Sequence, residues 1–157
     1  MALITGKIDG AILAPPFNVE AETRGLKRPI AGADIMESGV TGLNTHVEKL
    51  QKRPDEVKRM VRALLKAQSF IKTNGQETVK ITADWLKQDS SVASGGYEIY
   101  LRAMSLDGLI SDQALRADIE AARLAVNVPD QVPSTKAVDF TILKEVLSEL
   151  KSSSTSR

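Results

Sequence analysis

Cysteine is missing from this chain of 157 residues, and histidine occurs once, at position 46. These gaps exclude disulfides, thiolate chemistry, cysteine-type zinc centres and any site that needs two imidazoles. A chain without thiols is indifferent to redox poise, so its composition fits the cytosol and an oxidising compartment equally. Aromatic residues are 4% of the chain, with Trp85 the one tryptophan. Charge of one sign is also lacking: 21 Lys and Arg stand against 20 Asp and Glu, interspersed. No electrostatic footprint for nucleic acid or an anionic membrane follows from that balance. The longest apolar run, around Ala11 to Pro16, is far too short to span a bilayer, and no signal peptide precedes it. Neither membrane insertion nor a nucleic-acid partner is expected. Glycines are present but not in phosphate-binding order: Gly39-Val-Thr-Gly42 and Gly95-Gly96 match neither a P-loop nor a dinucleotide fingerprint, and no nucleophile elbow appears. We therefore expect no catalytic residue, no metal ligand and no cofactor, and the chain reads as a non-enzyme.

What is present divides into two unequal parts. To about residue 45 the pattern reads as α/β. Gly6 suits a helix C′ position, and Asp9-Gly-Ala-Ile-Leu-Ala14, closed by Pro15-Pro16, predicts a short buried strand. Phe17 to Arg24 predicts a two-turn helix stopped by Gly25, and Leu26 to Ala31 a weaker strand that Pro29 confines to an edge. Gly32 to Gly42 reads as a crossover or hinge, and Val40 to Thr45 as another short strand.

From His46 onward five to six helices are expected. Pro54-Asp55-Glu56 is a helix start, followed by one broad apolar face of Val57, Met60, Val61, Leu64, Leu65, Ala67, Phe70 and Ile71, closed by Asn74-Gly75. Glu77 to Lys87 is read as a helix, although Val79-Ile81-Ala83 also fits a period of two. Gly95-Gly96 reads as a break before a helix from Tyr97 to Met104, and Ser111 as the N-cap of a helix to Asn127 with Leu115, Ile119, Ala122 and Val126 inward. Asp139 caps a last helix with Ile142, Leu143, Val146, Leu147 and Leu150 inward, leaving 152–157 as a disordered tail.

The order of these features resembles a known family. Ala2-Leu-Ile-Thr-Gly6-Lys-Ile-Asp9-Gly-Ala-Ile, then Pro15-Pro16, a short helix and Arg24-Gly25-Leu26-Lys27, resembles NMT1/THI5-like substrate-binding proteins of nitrate/sulfonate/taurine-type ABC transporters. Leu50-Gln-Lys-Arg-Pro54-Asp-Glu-Val57, running on to Ala63 and Ala67, is similar to that family's "L-x-x-x-P-E-x-V" helix, and Val138 to Leu143 to its closing helix. The resemblance implies an α/β, helix-dominated chain with part of a type II periplasmic-binding-protein fold. Residues 1–45 would be a remnant of the second lobe and crossover, and 46–151 the helical part of the first lobe. It implies a C-terminal portion of a solute-binding protein for small organic or anionic solutes, binding weakly or not at all. An ABC permease as partner and a periplasmic or extracellular location come with it. The pyrimidine-precursor chemistry of some members, which needs cysteines, is excluded here.

By the same resemblance Pro15, Pro16, Phe17 and Asn18 would face a ligand cleft, against a plain strand-to-helix turn with Asn18 as cap. Asp9 would be a polar group near that cleft, or simply a strand start. His46 would line the cleft at the crossover, its neutral ring hydrogen-bonding a ligand oxyanion, or serve as an ordinary structural histidine. Trp85, Tyr97 and Tyr100 are either an aromatic platform or, as their helical spacing favours, core packing. An apolar face severed from its sheet would be left bare, which predicts a homo-oligomer. The alternative to solute binding is thus a stand-alone helical interaction module acting through homo-oligomerisation.

Overall fold

The computed structural model describes residues 2–35, 37–39 and 41–155. Eight α-helices and one 3-10 turn make up its regular structure: α1 Phe17–Thr23, the 3-10 turn Gly32–Asp34, α2 Val47–Lys52, α3 Pro54–Thr73, α4 Gly75–Leu86, α5 Ser90–Ala103, α6 Asp112–Ala125, α7 Ser134–Ala137 and α8 Thr141–Thr155. Helix accounts for 61% of the chain, and no strand occurs among the described residues. That overturns the α/β expectation and its partial binding-protein sheet. A strand exists only by pairing, and the runs expected to supply one do not pair among the described residues. Gly10 to Ala14 is irregular with Ile12 fully exposed, Leu26 to Ala31 is irregular with Ile30 exposed, and Pro29 offers no donor. Of the third expected strand, Thr41 to Thr45 is irregular and Val40 lies outside the described residues. Seven helices rather than five to six follow residue 46, the extra ones being the short α2 and α7.

The chain divides into two compact units, each assembled from two stretches. The first combines Met1–Ile35 with Phe70–Met104. In it α1 and α4 both pack on α5. Gly95 and Gly96, expected to break the chain, lie inside α5. A Cβ at Gly95 would sit 2.8 Å from Val19 Cγ1, and one at Gly96 3.3 Å from Pro16 Cβ, so both positions let α1 and its lead-in approach the α5 backbone. Gly75 does the same for α4, where a Cβ would come within 2.9 Å of the Tyr97 hydroxyl. That hydroxyl donates to the Ile71 carbonyl at 2.8 Å, satisfying one of the acceptors left open at the end of α3. The core is made of small residues: Ala21, Ala83, Val92, Ala93 and Gly96 are buried.

Two helix ends in this unit close through a left-handed residue. At Gly25, φ is +85°, its N–H bonds to Glu22 O and that of Leu26 to Ala21 O, a Schellman closure. Lys87 performs the same turn at φ +54°, with Gln88 N–H on Ala83 O, although its side chain disfavours that conformation.

The second unit combines Met36–Ser69 with Ser105–Arg157. Its apolar centre is Val57 and Leu65 of α3, Ala114 and Leu115 of α6, and Val146 of α8, which is fully buried. The broad apolar face read on α3 is only half covered: Val57 and Leu65 are inside while Met60 and Leu64 remain exposed. On α6, Leu115 is buried as expected, but Val126 at the far end of the same stripe is 70% exposed. Ser111 caps α6 by accepting from Ala114 N–H at 3.2 Å. Asn127, at φ +55°, ends it with Val128 N–H on Arg123 O. The inward face of α8 is the one expected, and the helix runs on through Thr155, over most of the segment read as a tail.

Candidate functional site

Four of the five candidate residues fall in the first unit and His46 in the second. The Pro15-Pro16 peptide is cis, and Pro16 is buried against Gly96 of α5. Phe17 is half exposed. Asn18 is not the cap of α1, since Pro16 holds that position; its own N–H bonds back to Ala14 O at 3.3 Å. Its side-chain Oδ1 is buried without a hydrogen-bond partner. Pro16 is therefore spent on packing against α5, and Asn18 contributes a buried amide oxygen that nothing in the described structure satisfies.

His46 precedes α2 and is exposed; its carbonyl receives the N–H groups of Lys49 and Leu50. It lines two open hollows of the surface. The larger, about 380 Å³, is bounded by Thr45, His46, Glu48, Lys49, Lys52 and Arg53. Each cation there already has a carboxylate: Lys52 pairs with Glu48 at 2.7 Å, and Lys49 and Arg53 both reach Glu56, at 3.4 and 3.1 Å. An anion entering the hollow would compete with those pairs rather than find a free charge.

The second unit's polar groups instead join distant parts of its own chain. Asp118 on α6 accepts from Ser38 Oγ at 2.8 Å and Gly39 N–H at 2.6 Å, and Glu37 accepts from both the backbone N–H and the hydroxyl of Ser111. Lys58 on α3 pairs with Glu145 and Glu149 of α8, and Arg62 with Glu149. Hydrogen bonds from Lys58 and then Arg62 hold the Glu149 carboxyl below the usual range, while Glu149 and Glu145 raise Lys58. Asp107 is lowered chiefly by the Leu109 N–H, Asp139 by the hydroxyl and N–H of Thr141, and Glu120 by Arg123. No group of three acidic or imidazole side chains placed to hold a metal occurs among the described residues, and no helix there is long and apolar enough to cross a membrane.

The feature that sequence reasoning misplaced is on α4. Gly75, Val79 and Ala83 turn toward α5, with Ala83 buried. Two residues further on, about 200° round the helix, the chain presents Ile81 and Trp85 on the opposite side. Trp85 is 82% exposed and Ile81 more than half, so Trp85 is not core, and Tyr100 is partly exposed. Tyr97 is the one aromatic of the three to take a packing role. The alternation Val79-Ile81-Ala83-Trp85 that imitated a strand is the signature of a helix apolar on two sides. Matched against protein-family models, curated proteins and solved structures, the chain is similar to none of them.

Proposed function

We propose that this chain acts by association: it is a helical interaction module whose exposed apolar faces are covered by a second copy of itself. Its surface carries this reading. The chain exposes 11996 Å², whereas a compact monomer of its mass exposes about 7,700 Å². Two wholly separate compact bodies of about 70 and 90 residues would still expose only about 9,300 Å² together. The excess, at least roughly 2,700 Å² per chain, is larger than the ~800 Å² that each partner buries in a standard stable interface. Among the described residues nineteen large apolar side chains are exposed and nine hydrophobic residues are buried. Sedimentation over a hundredfold range of concentration tests the reading. A mass that rises toward the dimer, with a melting temperature that rises alongside, is expected, because association stabilises the folded state by mass action. A monomer at every concentration overturns it.

A second reading is favoured by His46 and Thr45, which line both hollows. On it the chain takes part in capturing a small anionic or zwitterionic solute for an ABC importer outside the cytoplasm, as the sequence resemblance implies. A thermal-shift screen of sulfonates, amino acids and pyrimidines separates the two: a monomer stabilised by one solute supports capture, and a dimer indifferent to all of them supports association.

A further inference from the structure

We infer that Asn74-Gly75, the junction between α3 and α4, is a site of non-enzymatic deamidation whose rate is set by opening of the first turn of α4. It holds whether or not the chain associates. The chain has four asparagines, and three of them precede a residue branched at Cβ: Asn18-Val19, Asn44-Thr45 and Asn127-Val128. A branched side chain crowds the backbone nitrogen beside it. Asn74 alone is followed by glycine, whose nitrogen carries no such obstruction, and Asn74 is exposed to water. That nitrogen opens α4, where its N–H has no carbonyl of the helix to reach.

The reaction balances with water as its one co-reactant. The Gly75 nitrogen attacks Asn74 Cγ and gives up its proton, the side-chain nitrogen leaves as ammonia, and a succinimide ring closes. Water then adds to either carbonyl of the ring and opens it to aspartate or isoaspartate. In the folded chain the ring is held open. Asn74 has ψ 56°, which sets its Cβ trans to the Gly75 nitrogen about the Cα–C bond and keeps Cγ out of reach. Closure needs about half a turn about that bond. Such a turn swings the Asn74 carbonyl away from Thr78, whose N–H and hydroxyl both donate to it at 2.9 Å. It also moves Gly75 from its close seat under the Tyr97 hydroxyl. The Asn74 amide is pinned as well, donating to Phe70 O at 3.1 Å and Thr73 Oγ1 at 2.9 Å. The modification therefore marks molecules in which the first turn of α4 has come undone. Its product cannot close again in the same way, because a carboxylate has no proton to donate to Phe70 or Thr73. It also adds one negative charge to a chain whose formal net charge is +1.

The test incubates the full chain at mildly alkaline pH, folded and in urea, and follows the peptide holding Asn74 by mass spectrometry for the small gain of an amide becoming an acid. The folded chain is expected to react at least about tenfold more slowly than the unfolded one. Thr78→Val removes the hydroxyl grip on the Asn74 carbonyl and is expected to quicken the folded rate about threefold to tenfold, while Thr78→Ser keeps the grip and stays near wild type. Asp118→Ala, which loosens the second unit, is expected to leave the rate unchanged. Equal rates in the folded and unfolded chain overturn the gate. A Thr78→Val rate matching wild type, or an Asp118→Ala rate raised as far as that of Thr78→Val, overturns the assignment of the gate to α4. No mass gain at Asn74 even in urea overturns the site itself.

Discussion

The two units hold together by different physics. In the first, small residues let helices approach until side chains meet backbone: Gly95 under Val19, Gly96 under Pro16, Gly75 under Tyr97, with Ala21, Ala83 and Ala93 in the seams. Its ion pairs, Arg24 with Glu20 and Arg28 with Glu22, are local and exposed. The second unit is laced by long-range polar links, Asp118 to Ser38 and Gly39, Glu37 to Ser111, and Lys58 and Arg62 to α8. All four carboxyls held below their usual range belong to it. One unit is thus sensitive to volume and the other to charge, which makes them separable by experiment.

The sharpest break is Gly95→Val. Val19 lies where the new side chain must go, so the first unit should lose about 2–3 kcal/mol of stability. Adding Val19→Ala should recover much of that loss, while hydrogen exchange in 105–155 stays unchanged. A melt showing no coupling between the two positions would refute the close approach.

Asp118→Ala works on the other unit. Removing the acceptor of Ser38 and Gly39 should cost about 1–2 kcal/mol, with exchange quickening at residues 37–39 and little effect on α4 or α5.

Acid should divide the units more gently. A carboxyl whose folded pKa is depressed contributes stability that is complete above its unfolded pKa and is lost as pH falls through the folded one. Asp107, Asp139, Glu120 and Glu149 therefore make the second unit loosen below the ordinary carboxylate range, measured as exchange in α6 and α8 rising ahead of that in α4 and α5. Simultaneous loosening of both units would contradict the division.

The smallest effect expected is a gain. Lys87→Gly relieves a side chain at φ +54° and should stabilise the end of α4 by about 0.5–1 kcal/mol in thermal melts.

What the sequence disclosed was whatever depends on neighbours a few residues away. The Ser111 cap, the Gly25 stop, and the inward face of α8 through Val146 are all local rules, and the structure keeps them. The strand read at Asp9 to Ala14 failed because a strand is a relation between two segments, and its apolar run says nothing of a partner. Gly95-Gly96 misled for the same reason: glycine punctuates a chain locally, yet here its use is to admit Val19 from far along the sequence. Trp85 was assigned to a core by spacing alone, and spacing does not say which of two apolar faces is covered. Of the candidate site, the position of Pro15 to Asn18 just before and within α1 was legible; that Pro16 is spent on packing against α5 was not.

The close seat of Val19 over Gly95 also governs how this protein can drift. A lineage acquiring alanine at 95 gains helix propensity but places a methyl group where Val19 now stands. That change is tolerated only after position 19 has become smaller, so the order of the two substitutions is constrained. Related chains should carry correlated residues at these two positions, with a larger residue at 95 found only beside a smaller one at 19.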